Sequence, residues 1–249
     1  MKTKSLPLFA LVFALTTAAS AKVTEKFAQT YPLDAQGSIR LENINGSVEI
    51  VAWDKAEVSL EAEKSAKNEE GLKRMNLKIS STPQRLTIKT EYEKLWKFWD
   101  NMNAEVHYKL MVPAGVSLDK IQVVNASIQV TGIKGSVKVE AVNGSIEAEG
   151  LAGPGEFETV NGPIKVAYAS LAARPEISLD TVNGSSTLTL PADAAFELDA
   201  DSVNGNIRCD FPLTLEKSGR HELNGSVNGG GAKVEMESVN GSLSVARAK

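Results

Sequence analysis

Acidic side chains recur at one position of a short repeat and are the first candidates for chemistry. Each stands three residues before the Asn of a repeat copy, at Glu140, Glu158, Asp180 and Asp201. Carboxylates stacked at strand spacing repel one another unless a cation such as Ca²⁺, a basic partner or solvent relieves them. The neighbouring Lys138, Lys165 and Arg208 favour the alternative, in which these residues form a solvated charged face.

A second candidate is an aromatic segment between two predicted strands, at residues 92–102. It contains four aromatic residues, including two of the three Trp residues of the chain: Tyr92, Trp96, Phe98 and Trp99. The rings either pack as a lid on the end of a sheet or form an exposed contact surface for a glycan or a protein. Solvent exposure of Trp96 and Trp99 would favour the contact surface.

Carboxylates are numerous in this chain, but His and Cys residues are sparse and no catalytic motif stands out from the repeat. His107 and His221, the two His residues, are far apart and lack metal-ligand spacing. Cys209, the single Cys, falls on an inward strand position, which predicts a buried inert thiol and no intrachain disulfide. No nucleophile-elbow, phosphate-loop or dinucleotide motif is present. We therefore predict no catalytic residue, no metal site and no cofactor.

Residues 1–21 have the pattern of a secretory signal peptide. Lys2 and Lys4 precede an apolar run too short to span a bilayer, and Ala19-Ser20-Ala21 is a small-residue cleavage site. No later apolar run is long enough for a membrane span. The chain has a net charge of −4, which argues against nucleic acid and anionic membrane surfaces as partners. An exported protein, periplasmic or extracellular, is predicted.

The elements that must position the candidate residues come from a recurring Val-Asn-Gly-Ser phrase. Its eight Asn residues are predicted corner residues: Asn45, Asn125, Asn143, Asn161, Asn183, Asn204, Asn224 and Asn240. From Asn125 onward the copies recur at nearly regular intervals, which is typical of one structural unit per copy. Apolar residues alternate with polar ones around each Asn, so each copy predicts a strand, a tight corner and a second strand.

Two all-β folds fit this pattern. Asn-Gly between alternating strands is a strong hairpin signal, and successive hairpins would form a meander. The constant register of the copies favours a β-solenoid, β-helix-like, with coils of about 18–22 residues and Asn-Gly corners. Stacked coils would place the Asn amides about 4.8 Å apart, in a hydrogen-bonded ladder, with Gly supplying a positive φ beside them. Parallel pairing between copies would decide for the solenoid.

The chain divides into three predicted regions. Residues 1–21 are the signal peptide, 22–110 form a diverged N-terminal β lobe with a short helix near residues 65–75 and the aromatic segment, and 111–249 form the solenoid repeats. Pro32, Pro113 and Pro191 precede three corner Asn residues at nearly the same distance along the chain, which relates the lobe to the repeats. Because no Gly/Ser-rich or Pro-rich linker separates the lobes, residues 22–249 are expected to form one continuous domain.

The corner phrases together resemble the bacterial putative-adhesin family of β-strand-repeat domains, a domain family of unknown biochemical function. The likeness spans roughly residues 30–249 and rests on Asn45-Gly-Ser-Val48 with Trp53-Asp54, Val112-Pro-Ala-Gly115, the Val-Asn-Gly copies, and Asn228-Gly-Gly-Gly231 through Leu243. The chain departs from the family pattern at Ala126 in place of Gly, at Pro163 in place of Ser, and in the aromatic segment. The resemblance implies an exported β-solenoid without known catalytic residues.

We predict a non-enzymatic module that acts in the cell envelope in adhesion, scaffolding or sensing. Its partner would be an envelope protein or a glycan, and the sequence identifies neither that partner nor the oligomeric state. Two alternatives remain open: a polysaccharide-active β-helix enzyme, which would need a carboxylate pair facing a cleft, and a regulatory partner in an envelope-stress system.

Overall fold

The computed structural model describes residues 22–93, 104–171 and 174–248. Within these ranges the chain forms two large sheets, which face each other across one apolar core, and a short helix, α1 (Glu69–Lys73). The predicted signal peptide and Trp96, Phe98 and Trp99 lie outside the described residues.

Strands in each sheet are given in spatial order. The first sheet contains β1 (Val23–Pro32), β4 (Glu57–Ala66), β7 (Glu105–Pro113), β3 (Val48–Trp53), β9 (Ile128–Thr131), β11 (Ile146–Leu151), β13 (Ile164–Tyr168), β15 (Ser186–Leu190), β21 (Leu243–Arg247) and β17 (Ile207–Cys209). The second sheet contains β18 (Thr214–Ser218), β19 (Glu222–Val227), β16 (Phe196–Asn204), β20 (Ala232–Asn240), β14 (Glu176–Asn183), β12 (Gly155–Asn161), β10 (Val137–Asn143), β8 (Ser117–Asn125), β2 (Ser38–Asn45), β6 (Arg85–Tyr92) and β5 (Met75–Thr82).

Successive coils pair in parallel and in register. On the second sheet β10, β12 and β14 align Val139, Phe157 and Leu179, and on the first sheet β11 aligns Ile146 with Ile164 of β13. Each coil crosses from the second sheet to the first through an Asn-Gly corner, except that Asn125-Ala126 joins β8 to β9. The parallel pairing confirms the predicted β-solenoid and shows that the alternative meander of hairpins is wrong.

Antiparallel strands flank the parallel coils. β1, β4 and β7 pair antiparallel on the first sheet, β5 pairs with β6 on the second, and β18 and β19 extend the second sheet beyond β16. The predicted lobe boundary at residues 110 and 111 falls inside β7, and β2 and β3 pair directly with repeat strands β8 and β9. We therefore propose that residues 22–249 form one structural unit.

The helix is shorter than the segment in which it was expected. α1 has five residues, because Ser65 and Ala66 still belong to β4 and Met75 already begins β5. Asn68 caps it by accepting a hydrogen bond from the Gly71 amide at 2.9 Å. Its buried Leu72 anchors this turn to the core.

In the core, a glycine compensates for a large aromatic ring on the same strand. Phe157 is fully buried in a row where the adjacent coils carry Val139 and Leu179. Two residues earlier, Gly155 stands where those coils carry Val137 and Ile177. A Cβ on Gly155 would lie 2.6 Å from Cε2 of Phe157, so the absent side chain makes room for the ring.

The last coils do not stack in sequence order. β20 lies between β14 and β16, so the coil nearest the C-terminus separates two coils that are consecutive in the sequence. The chain leaves β17, forms the antiparallel β18–β19 pair on the outer side of β16, and returns to the inner side of β16 as β20. Asn228, at φ 51°, begins this return together with Gly229 and Gly230.

Candidate functional site

The corner asparagines form a continuous amide ladder. Along the stack the order of these residues is Asn45, Asn125, Asn143, Asn161, Asn183, Asn240 and Asn204. In each pair the Oδ1 atom of the earlier Asn in this order accepts a hydrogen bond from the Nδ2 atom of the next, over 2.8 to 3.0 Å. These amides therefore bond to one another along the corner, and the ladder is a structural device.

Asn224 is not a corner residue, and its assignment to the corner was wrong. It lies inside β19 and pairs with Asp199 of β16 in an antiparallel register. The chain between β17 and β20 forms a strand pair on the outer side of β16, so this copy of the phrase has no parallel neighbour on which to stack. Its Gly225 instead allows a close approach, since a Cβ there would lie 2.6 Å from the Thr214 carbonyl oxygen.

Close stacking explains the corner glycines better than backbone conformation does. A Cβ on Gly144 would lie 1.7 Å from the carbonyl oxygen of Ala126 in the adjacent coil. Among the corner glycines, positive φ occurs at Gly46 (107°) and Gly162 (155°). The need for a positive φ, which was predicted from the sequence, therefore explains only these two corner glycines. Beside Ala126 the Gly46 amide is 3.4 Å from the Asn125 oxygen, against 3.0 Å for Gly144 and Asn161. The longer of these two hydrogen bonds thus lies beside the corner where alanine replaces glycine.

Two rows of outward side chains cross the second sheet beside the ladder. The acidic row, in spatial order on β10, β12, β14, β20 and β16, is Glu140, Glu158, Asp180, Glu237 and Asp201. The valine row, two residues nearer the corner on the same strands, is Val142, Val160, Val182, Val239 and Val203. These valines are 37% to 63% exposed.

The sequence identified four members of the acidic row but misplaced the contact between them. Consecutive copies predicted Asp180 beside Asp201, whereas the strand order puts Glu237 between the two. The valine row was missed altogether. Period-2 counting from each Asn contains the signal, because residues one and three places before the Asn must point to the same side of the sheet.

The two rows line an open groove with a volume of about 800 Å³. The β18–β19 pair bounds one end of it with His221 and Glu222. Between the rows, inward residues support the corner: the Thr159 hydroxyl donates to the Gly144 carbonyl at 3.3 Å, and Thr181 donates to that of Gly162 at 3.4 Å. The fold thus uses the inward residues of these strand ends and leaves the outward ones facing the groove.

Negative charge concentrates at the β16 end of the acidic row. At the β10 end, Lys120 pairs with Glu140 at 3.2 Å. In the described part of the chain, no cationic side chain lies within 4.0 Å of the carboxylates of Asp180, Glu237 or Asp201. Among the described residues, this end of the groove therefore has three carboxylates without an ion-pair partner, and Lys217 at the same end is paired with Glu222.

Burial and mutual repulsion raise the pKa values of these carboxyl groups. Burial is the largest cause of the raised pKa of Asp180, Glu237 and Asp201, and the charge of Asp180 further raises the pKa of Glu237. The pKa of Glu158 is raised chiefly by a hydrogen bond with the Glu156 carboxyl group. A raised pKa means that the ionised row costs folding free energy at neutral pH.

Replacement Asp180→Asn is therefore expected to stabilise the protein at pH 7, by about 0.5 kcal/mol because the site is half-exposed and screened. The carboxyl pKa is raised in the folded state. The protonated Asp180 carboxyl group therefore stabilises the folded state fully below its unfolded pKa of about 3.9. This stabilisation is lost as the pH rises through the pKa of the folded state. The advantage of the variant should shrink as pH falls from 7 to 3 in urea unfolding. Asp54→Asn, at an exposed turn, is the control; a less stable Asp180→Asn at pH 7 would contradict the prediction.

A polar cluster at the N-terminal end of the ladder was not foreseen. The Nδ1 atom of His107 lies 2.9 Å from the Ser47 hydroxyl, and its Nε2 atom lies 3.4 Å from the Glu105 carboxylate. The Ser47 backbone amide also donates to Nδ1, at 3.1 Å. Glu105 pairs with Lys22 at 2.9 Å, which lowers the pKa of its carboxyl group. Because the backbone shares the nitrogen that a serine nucleophile would need, we interpret the cluster as a clamp on this corner.

The other candidates lie apart from the groove or outside the described residues. Of the aromatic segment, the structure describes Tyr92, which is half-buried and whose pKa burial raises to about 12. Cys209 is half-buried with a free thiol whose pKa burial raises. Within residues 22–93, 104–171 and 174–248, no group of three His, Cys, Asp or Glu side chains is placed to hold a metal ion. The same ranges contain no helix that is long and apolar enough to cross a membrane.

Comparison with known proteins gives a family match and several solved structures with low sequence identity. The family model described as Toastrack DUF4097 matches residues 112–246. A putative cell adhesion protein from Clostridium sporogenes is 11% identical, with a TM-score of 0.42 over 90% of this chain and 100% of that chain. A putative adhesin from Bacteroides fragilis is 10% identical, and a putative lipid binding protein from Parabacteroides distasonis is 11% identical. Both have TM-scores of 0.30 over 90% of this chain and 97% of their own. No curated protein matches the sequence.

Proposed function

The chain belongs to the Toastrack DUF4097 family, and from this premise we propose that it is an exported, non-enzymatic binding module of the cell envelope. Its interaction surface is the groove lined by the acidic row and the valine row. Export is supported by the signal-peptide pattern of residues 1–21. The role is adhesion or scaffolding, in which the groove holds an envelope partner.

The observation that carries this proposal is the valine row itself. Five valines on neighbouring strands lie side by side, each more than a third exposed. Isolated exposed apolar residues are ordinary, but a contiguous apolar stripe with a polar border is typical of an interaction site. Burial of these methyl groups by a partner would supply the hydrophobic gain that an interface needs.

The chemistry of the groove favours a protein partner over a glycan. The carboxylates of the acidic row face the groove, as the polysaccharide-active alternative requires, and could accept hydrogen bonds from sugar hydroxyl groups. The valine row beside them offers such hydroxyl groups no hydrogen-bond partner, and its methyl groups pack best against apolar side chains of a protein. The acidic row beside it supplies charge, which sets specificity and the rate of encounter. The aromatic segment, the second predicted contact surface, contains Trp96, Phe98 and Trp99 outside the described residues.

Site-specific photo-crosslinking in intact cells that export the protein tests this proposal. With p-benzoylphenylalanine in place of Val182, a discrete protein adduct is expected. The matched control places the same group at Thr187, which points outward from β15 on the opposite sheet, and should give no such adduct. The adduct should also disappear when Asp180→Lys and Glu237→Lys are added. The same adducts at both positions, or none at Val182, would refute the proposal that the groove holds an envelope partner in the cell.

A further inference from the structure

We infer that the groove binds a short basic amphipathic helix of another protein. The inference rests on the proposed function and specifies the chemistry of the partner at the same surface. Its bases are the spacing along the two rows, the distance between them, and the distribution of charge along them.

The spacing along the rows fits a helix. Five hydrogen-bonded strands span about 19 Å, since neighbouring strands lie about 4.8 Å apart. One turn of an α-helix advances about 5.4 Å, so a helix lying along the rows presents about one side chain per strand. An extended peptide repeats its facing side chains about every 6.6 Å and would lose register within two or three strands. At about 1.5 Å per residue, about 13 helical residues cover the five strands.

The distance between the rows fits two adjacent stripes of one helix. The acidic and valine rows are two residues apart on each strand, which corresponds to roughly 6.6 Å. A helix with its side chains is about 10 Å wide, so an apolar stripe and the stripe next to it can contact both rows at once. The apolar stripe lies on the valines, and the adjacent stripe meets the carboxylates.

Charge complementarity makes that second stripe basic. Asp180, Glu237 and Asp201 have no cation within ion-pair distance in the described part of the chain. Lys or Arg side chains of a partner would relieve the repulsion between them. Lys120 and Lys138 lie at the opposite end of the face, beside Glu140. The basic residues of the partner should therefore concentrate over β14, β20 and β16.

The test uses a fluorescein-labelled helical peptide of about 14 residues, with a Leu stripe beside a Lys stripe and Ala elsewhere. Fluorescence anisotropy at low salt measures its affinity for the full chain after signal-peptide removal. The Asp180→Lys, Glu237→Lys double variant should bind at least about tenfold more weakly, and Val182→Ser should bind several-fold more weakly. The matched control is Glu61→Lys with Glu149→Lys, which makes the same change in net charge at exposed positions of the first sheet and should leave the affinity within about twofold.

Two further peptides make the test specific. A peptide of the same composition with both stripes interrupted, and one with Glu in place of Lys, should bind at least about tenfold more weakly than the probe. Equal binding of the interrupted peptide, or an equal loss in the Glu61 and Glu149 control, would overturn the inference. A Val182 adduct in cells without peptide binding would overturn the helix and leave the proposed function standing. Peptide binding without an adduct would support the helix and overturn the envelope role.

Discussion

Replacement of Gly144 by Ala is expected to lower the free energy of unfolding by about 3 kcal/mol. The new Cβ would lie 1.7 Å from the carbonyl oxygen of Ala126, far inside contact distance. Neither backbone can move away freely. The Asn143 amide is bonded to Asn125 on one side and to Asn161 on the other, at 2.8 Å each. The stack would have to open at this corner, with loss of amide bonds and core contacts on both sheets.

Urea unfolding followed by circular dichroism measures this loss. Gly219→Ala is the matched control, because a Cβ there would come no closer than 3.9 Å to the Glu222 oxygen. The control should unfold within about 0.5 kcal/mol of the wild type. If Gly144→Ala behaves like Gly219→Ala, close stacking is not the reason for glycine at the corner.

Replacement of Phe157 by Ala is expected to cost about 3 to 5 kcal/mol. The ring is fully buried between the coils that carry Val139 and Leu179, and the neighbouring Gly155 has no side chain that could fill the vacated space. The cavity would therefore remain open, which adds its own cost to the lost transfer free energy. The parallel strands on either side limit collapse, because their hydrogen bonds fix the spacing of the coils.

Thermal and urea unfolding of Phe157→Ala and Phe27→Ala separate burial from residue type. Phe27 lies on β1 and is only partly buried, so the same chemical change should cost roughly half as much or less. Equal losses in the two variants would argue against a tightly packed core at β12.

Structure and proposed function occupy different positions of the same strands. At the end of β14, the inward Thr181 supports the corner while the outward Asp180 and Val182 line the groove. Stacking in register repeats this division on each coil, so a short sequence phrase becomes a continuous surface. A change in the outward residues should alter binding with little effect on the fold, and a change in the corner should do the reverse.

Much of the fold was predictable because its signals are local. The alternation around each Asn defines the strands, and the regular spacing of the copies implies coils of nearly constant length. The constant position of Asn predicts the amide ladder, since identical side chains at identical positions of stacked coils must meet. The acidic residues at Glu140, Glu158 and Asp180 were predictable for the same reason.

The remaining features depend on contacts that no local pattern encodes. The Leu223-Asn224-Gly225 phrase matches the corner copies, yet it forms part of an antiparallel strand because β16 offers a free edge at that point. The contact between Ser47 and His107 joins the corner after β2 to β7, which is far away in the sequence, so sequence spacing could not reveal it. The close approach of Gly144 to the Ala126 carbonyl oxygen likewise arises only when two coils stack, so the sequence of one coil cannot show it.

The sequence alone therefore determined the all-β class, most of the Asn corners and the inward or outward direction of most strand residues, because each follows from periodicity within one coil. It favoured the solenoid over a meander of hairpins, and the parallel pairing of the coils decided between the two. The tertiary structure decided the order in which the coils stack. It placed β20 between β14 and β16, which brought Glu237 between Asp180 and Asp201 and joined five valines in one stripe. Strand order depends on the competition of whole strands for free sheet edges, and that competition is settled only when the chain is folded.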